Sequence, residues 1–124
     1  MELIIGGAYQ GKLDYAKENL NVTSHFTCAL DTENIDFSIG CVTHLERFAL
    51  SCLRRGFSPV EQLKSLESEW AGCILIADDI SQGVVPIDAE MRAWREETGR
   101  MLNYLAGKAA HVHRVFLGIG QVIK

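Results

Sequence analysis

The sequence predicts an α/β domain with a mainly parallel β-sheet, and three observations support this fold class. Residues Cys73–Ala77 form a continuous apolar run, which is typical of a parallel strand that is buried on both faces. A shorter apolar run, Leu3–Ile5, has the length of a second buried strand. Segments with helical spacing of apolar residues lie between such runs, and strands that alternate with helices indicate βαβ units.

The predicted elements follow one another with short connections. In chain order they are a strand at 3–5, a helix over 12–20, strands over 24–30 and 35–42, a helix between Thr43 and Gly56, a helix from Ser58 to about Trp70, a strand over 73–77, a helix over 89–106 that ends at Gly107, and two strands over 112–117 and 121–124. The last two strands follow each other closely, so we expect a C-terminal β-hairpin. The whole arrangement predicts a three-layer domain with helices on both sides of the sheet.

Three helices begin at recognisable capping residues. Thr43 with Glu46, and Ser58 with Glu61, have the form of capping boxes, in which each side chain satisfies a backbone N–H of the first turn. Asp88 precedes the long third helix and is also a favoured N-cap residue. We therefore predict that Thr43, Ser58 and Asp88 cap these helices.

Composition limits the classes of function. The 124 residues are most simply one domain, 1–124, and 48% hydrophobic with 23% charged residues is ordinary for a globular protein. The net charge of −4 makes nucleic acid an unexpected partner, and no segment has the length of a membrane span. The four cysteines lie in apolar runs without CxxC or zinc spacing, so we expect reduced, buried thiols and a cytoplasmic protein.

The segment between the first strand and the first helix has most of a phosphate-binding loop. Gly6-x-x-x-x-Gly11-Lys12 supplies glycines that allow consecutive N–H groups to face an anion, and a lysine that reaches its outer phosphates. The helix N-terminus adds unpaired donors and partial positive charge. The predicted nucleotide-binding residues are Gly6, Gly7, Ala8, Gln10, Gly11, Lys12 and Leu13.

One residue of this motif is missing. The position after the lysine asks for Ser or Thr, whose hydroxyl ligates Mg²⁺, and Leu13 stands there instead. We therefore expect ATP or GTP as ligand but no magnesium ligand from the loop. The alternative is a glycine-rich turn that only connects a strand to a helix.

Acidic and histidine side chains offer further candidates. Asp78 and Asp79 follow the apolar strand at the sheet edge where ligands bind in α/β proteins, and we expect Asp79, or Asp78, to act as a metal ligand or to orient a substrate hydroxyl. The alternative is loop solvation or helix capping. His111 and His113 have the spacing of two residues on one strand face, but the sequence offers no third zinc ligand, so we predict an ordinary strand pair and no metal residues.

Four segments together resemble one known family. Gly6–Lys12, the loop Asp79–Pro86, the phrase Gly99–Asn103 and the ending from Gly118 to Lys124 are similar, in order and placement, to adenosylcobinamide kinase / adenosylcobinamide-phosphate guanylyltransferase. That family has a GGxxSGKS loop, an acid before a glycine-rich "G-V-P" loop, a "GR-x-N" helix and a final "GIG" hairpin. The resemblance covers the first twenty residues and residues 74–124, and it implies a P-loop NTPase-like domain, a role in cobalamin biosynthesis and a homo-oligomer.

The chain also departs from the family pattern. Gln10 and Leu13 replace the two loop serines, and Gly40 stands where a family strand ends in a glutamate. Asp79 matches the acid before the glycine-rich loop. The piece that carries the family's guanylylated histidine is absent. The resemblance thus implies that the guanylyltransferase activity is lost.

Two functions remain open at this stage. One is a reduced kinase, in which Lys12 and Asp79 are catalytic and a phosphoryl group passes from ATP or GTP to a hydroxyl of cobinamide. The other is a non-catalytic homologue that binds a nucleotide or a corrinoid as an interaction or regulatory subunit. Gly11, Lys12 and Asp79 favour the first, whereas Leu13 and Gly40 favour the second.

Overall fold

The computed structural model describes residues 1–80 and 88–124. Its elements in chain order are β1 (Glu2–Gly6), α1 (Lys12–Asn19), β2 (Phe26–Thr27), a 3₁₀-helix (Phe37–Ile39), β3 (Cys41–Thr43), α2 (Leu45–Arg54), α3 (Pro59–Ser65), α4 (Glu67–Trp70), β4 (Ile74–Asp78), α5 (Ala89–Lys108), β5 (His111–Phe116) and β6 (Ile119–Val122). The glycine-rich part of the family resemblance at residues 83–86 lies outside the described residues.

The strands form one six-stranded sheet in the order β2-β3-β4-β1-β5-β6. Strand β1 pairs in parallel with β4 on one side and β5 on the other, β3 is parallel to both β4 and β2, and only β5 and β6 are antiparallel among the described pairs. The predicted fold class, α/β with a mainly parallel sheet and a C-terminal β-hairpin, is confirmed at this level.

The core lies in two layers, one on each face of the sheet. Successive residues of a strand point to opposite faces, so Leu3 and Leu75 belong to a large cluster under α2, α3 and α5, while Ile4 and Ile76 belong to a smaller cluster under α1. Burial of each large apolar side chain contributes about 1.5–3 kcal/mol. Both faces of β1 and β4 are therefore covered, as the continuous apolar runs predict.

The connections reverse direction at the centre of the sheet. The chain leaves β1 through α1 toward the β2 edge, whereas it enters β5, on the other side of β1, from α5. Right-handed crossovers require the two paths to cover opposite faces, and this agrees with the positions of α1 and α5 in the two clusters. The carboxyl ends of β1 and β4 therefore flank a crevice of the kind that binds ligands in doubly wound sheets.

The predicted strand over 35–42 is wrong over most of its length. Residues Phe37–Ile39 form a 3₁₀-helix, because Asp36 accepts a hydrogen bond from the backbone N–H of Ser38 at 3.0 Å and Gly40 then takes φ +92°. An aspartate that binds its own backbone two residues on favours a turn over a ladder. Only Cys41–Thr43 remains as a strand, and the strand predicted over 24–30 shortens to Phe26–Thr27.

The helix predicted from Ser58 to about Trp70 is divided into α3 and α4, and the last strand lies at Ile119–Val122 instead of 121–124. Two of the predicted helix caps hold. Ser58 accepts a hydrogen bond from the N–H of Glu61 at 3.3 Å, and Asp88 accepts one from the N–H of Met91 at 3.1 Å, so these two caps are confirmed. Helix α5 continues through Gly107 and ends at Lys108. Among the described residues, no helix combines the length and the apolarity that crossing a bilayer requires.

The cysteines are buried and free, as predicted. Burial raises the pKa of the Cys28 thiol to about 12 and the pKa values of Cys41 and Cys52 to about 11. These thiols are protonated at neutral pH, and since the thiolate is the reactive form, they are packing groups.

Close packing at the end of β1 requires a glycine at position 6. A Cβ added to Gly6 would lie 2.4 Å from the backbone carbonyl oxygen of Val115, so Gly6→Ala has to push β1 and β5 apart. We expect a loss of about 1–3 kcal/mol in the free energy of unfolding, measured by urea denaturation. The matched control is Gly99→Ala in α5, where a Cβ would meet no described atom within 4 Å. This control should gain roughly 0.5–1 kcal/mol, and equal effects of the two changes would contradict the packing account.

Candidate functional site

The centre of the site is an ion pair in the crevice between β1 and β4. Lys12 is the first residue of α1 and is only 7% exposed. Its Nζ lies 2.7 Å from Oδ1 of Asp78, the last residue of β4, and donates a hydrogen bond of 2.6 Å to the carbonyl oxygen of Gly7. The lysine charge is thus nearly removed from water and satisfied by the protein itself.

The C-terminal hairpin of β5 and β6 contacts the glycine loop over 6–12 through hydrogen bonds to Gln10. Gln10 accepts two hydrogen bonds of 2.8 Å from this hairpin, one at Oε1 from the N–H of Leu117 and one at its carbonyl oxygen from the N–H of Gly118. Gly11 has φ +83°, a conformation that favours glycine. The loop therefore has a fixed backbone whose shape depends partly on the hairpin.

Leu13 lies where the loop motif needs a hydroxyl. Its half-buried side chain packs against the smaller core cluster beneath α1 and also lines the cavity described below. An apolar side chain supplies no metal ligand. Leu13 therefore contributes apolar packing beneath α1 and offers no metal ligand to the loop.

The predicted N-cap at Thr43 is wrong. Thr43 is the last residue of β3, and its hydroxyl donates a hydrogen bond of 3.1 Å to Oγ1 of Thr27 on the neighbouring strand β2. His44 occupies the N-cap position of α2 with φ +56°. A side chain committed to the strand pair is not aligned with the first turn of a helix, which is why the capping-box pattern misleads here.

Glu46, the partner in that predicted capping box, faces the crevice instead. Its carboxylate is only 3% exposed, and Oε1 accepts a hydrogen bond of 2.8 Å from the backbone N–H of Asp78. Its own carbonyl oxygen accepts a hydrogen bond of 2.7 Å from Nε1 of Trp94 in α5. Glu46 therefore fixes the end of β4 and the position of Asp78.

Three polar side chains converge at this point. Nδ1 of His44 lies 3.2 Å from Oε2 of Glu46 and 3.9 Å from Oδ2 of Asp78. Arg47 approaches from the outside, with Nε 3.9 Å from the same Glu46 oxygen. His44 is not among the predicted site residues, and the signal that could have found it is its place directly after a short strand at the ligand-binding edge of the sheet.

A cavity of about 550 Å³ opens in front of these residues. Its lining includes the loop and α1 over 8–14, Asp78 from β4, His25 and Thr27 at β2, and His44 and Arg47 at the start of α2. Lys12 and Arg47 are the cations of the lining, Asp14 and Asp78 are its carboxylates, and the cavity volume falls in the usual range for small-molecule sites. His25, which is not among the predicted site residues, lines the same cavity.

Asp79 follows β4 directly and is half-buried. Its backbone N–H donates a hydrogen bond of 2.8 Å to the carbonyl oxygen of Gly6, which holds the chain beside the start of the glycine loop. The carboxylate that pairs with Lys12 is that of Asp78. A catalytic role for Asp79 stays a prediction.

The two strand histidines share one acid. His111 and His113 each lie with a ring nitrogen 2.9 Å from a carboxylate oxygen of Glu2 on the adjacent strand, and the other ring nitrogen of His113 lies 2.9 Å from the hydroxyl of Tyr15. Burial alone would raise the pKa of Glu2, but the hydrogen bonds from both histidines outweigh it and the pKa lies below its usual value. This cluster ties β1 to β5 and α1.

Comparisons with known proteins do not assign the chain to a family. No protein-family model matches the chain, and no curated protein matches it significantly. The family named in the sequence analysis therefore rests on the quoted motifs alone.

The Glu2 cluster predicts a specific dependence of stability on pH. A carboxylate whose pKa is lowered by folding stabilises the protein above its unfolded-state value near 4.5, and this contribution is lost as the pH falls through the lower folded-state value. We expect Glu2→Gln to lose less unfolding free energy than the wild type on acidification below about pH 4.5, measured by urea denaturation. Glu18→Gln, an exposed change on α1, is the control and should follow the wild type. Identical curves for all three proteins would refute the coupling.

Proposed function

We propose that this chain binds ATP or GTP with its phosphates in the crevice between β1 and β4. In its active form it transfers a phosphoryl group to a hydroxyl of a cobinamide-like alcohol. The observation that carries the proposal is the position of Lys12, a nearly buried cation at the start of α1, beside the cavity at the point where the chain connections reverse. The identity of the alcohol comes from the family resemblance.

Binding requires Lys12 to exchange partners. In the described state its Nζ is satisfied by Asp78 and by the carbonyl oxygen of Gly7. A phosphate group would have to replace at least one of these contacts, and repulsion between its charge and the Asp78 carboxylate opposes this exchange. The charge of Arg47, on the other side of the cavity, attracts the same anion.

Transfer of a phosphoryl group depends mainly on positioning and on neutralisation of charge. In this proposal Lys12 neutralises the transferred group, and Asp79 orients the acceptor hydroxyl. Asp79 takes this role by resemblance, since it matches the family's acid. Its backbone bond to Gly6 keeps it next to the loop.

The second candidate is a non-catalytic module that binds a nucleotide or a corrinoid for a partner subunit. Two positions favour it. Leu13 is engaged in apolar packing, and Gly40 ends the 3₁₀-helix with φ +92°, where the resembling family has a glutamate. This chain keeps Lys12 and Arg47 at the site. By the resemblance, it lacks both usual magnesium ligands, the hydroxyl at position 13 and the glutamate at position 40.

Calorimetric titration with ATP and GTP tests the proposed binding. Lys12→Met removes the ammonium group and keeps the buried alkyl stem, and it should weaken nucleotide binding by about 10- to 100-fold because a charged hydrogen bond is worth roughly 1.5–3 kcal/mol. Lys17→Met is the matched control, since Lys17 is an exposed residue of the same helix. Absence of saturable binding by the wild type, or equal affinities for the wild type and Lys12→Met, would contradict the proposal.

The same protein distinguishes the two candidates. With magnesium, ATP and cobinamide, the kinase should form ADP in proportion to added cobinamide. Binding of nucleotide without any such turnover would favour the non-catalytic module.

A further inference from the structure

We propose that His44, Glu46 and Asp78 form a binding site for one divalent transition metal ion of the Mn²⁺ or Zn²⁺ type. The three side chains come from the end of β3, the first turn of α2 and the end of β4. Each offers one ligand atom, and these atoms lie within 4.8 Å of one another. The inference stands without a bound nucleotide, so it does not rest on the proposed function.

The distances suit a single ion. With metal–ligand bonds of about 2.0–2.2 Å, neighbouring ligands in tetrahedral or octahedral geometry lie roughly 3.0–3.6 Å apart. The distance from Nδ1 of His44 to Oε2 of Glu46 is 3.2 Å, and the distance to Oδ2 of Asp78 is 3.9 Å. The ligand atoms of Glu46 and Asp78 lie within 4.8 Å of each other, so side-chain movements of up to about 1 Å bring all three to the ion.

The two carboxylates are already oriented by the protein. Oε1 of Glu46 holds the backbone N–H of Asp78, and Oδ1 of Asp78 holds Nζ of Lys12. Each carboxylate thus uses one oxygen for a structural contact and directs the other toward His44. Such outer contacts orient ligands and tune affinity in established metal sites.

The charges around the site also accommodate a cation. Glu46 is nearly buried, and a buried carboxylate is costly unless a positive charge compensates it. Lys12 contacts the far oxygen of Asp78, and Arg47 approaches Glu46 only to 3.9 Å. His44 is 35% exposed, so an ion can enter from the cavity side.

The ligand set indicates the class of metal. A neutral imidazole with two carboxylates favours Mn²⁺, Zn²⁺ or a neighbouring transition metal, whereas Mg²⁺ prefers oxygen ligands alone. The hydrogen bond between His44 and Glu46 requires a proton on Nδ1. The ion would take the place of that proton between the same two atoms.

The test is titration of the chelator-treated full chain with Mn²⁺, followed by electron paramagnetic resonance and repeated with Zn²⁺ by calorimetry. We expect one equivalent to bind. His44→Gly removes the imidazole at a positive φ that glycine adopts easily, and Glu46→Gln retains an acceptor for the N–H of Asp78. Either change should weaken binding at least about tenfold.

His25→Ala is the matched control, because His25 lines the same cavity but is outside the three-residue cluster. It should leave metal affinity unchanged. Absence of saturable binding, or binding that His25→Ala weakens as much as His44→Gly, would overturn the proposal. If Glu46→Gln fails to fold, the metal affinity of His44→Gly still tests the proposal, because His44 is partly exposed.

Discussion

The arrangement of the site depends on the ion pair between Lys12 and Asp78. It joins the start of α1 to the end of β4, the two places where the chain leaves the central strands, and it neutralises a lysine that is only 7% exposed. A buried charge without a partner is strongly unfavourable. The pair therefore stabilises the described state and, for the same reason, opposes an anion that would take the lysine. In the proposed function, stability and nucleotide binding would therefore compete for one ammonium group.

The glycine loop shows how one pattern can have two causes. Gly6 is required by the backbone of β5, and Gly11 is required by its positive φ. These requirements of packing exist without any ligand. The glycines alone are thus weak support for phosphate binding, and the proposal depends on Lys12, whose charge is satisfied by Asp78 in the described state.

Much of the fold could be predicted from the sequence, because local signals and burial agree. The apolar runs at β1 and β4 and the caps at Ser58 and Asp88 are where the structure has them. The prediction failed over 35–42, where alternating apolar residues imitate a strand and the Asp36 turn competes with it. The spacing of apolar residues does not report hydrogen bonds between a side chain and the backbone, such as the one made by Asp36.

The site could be predicted only in part. The sequence singled out Lys12 and the pair Asp78 and Asp79 from strand order, but it took Asp79 as the catalytic acid, whereas the acid that pairs with Lys12 is Asp78. It did not find His44 or Glu46, because their meeting depends on α2 turning back over the sheet edge, and a capping pattern gave Glu46 another role. The most direct test of the account is metal-free ATP affinity in chelator, measured for the wild type, Asp78→Asn and Asp79→Asn. If the ion pair restrains Lys12, Asp78→Asn should bind about tenfold more tightly, roughly 1.4 kcal/mol, and Asp79→Asn should change affinity less; unchanged or weaker binding by Asp78→Asn would contradict the account.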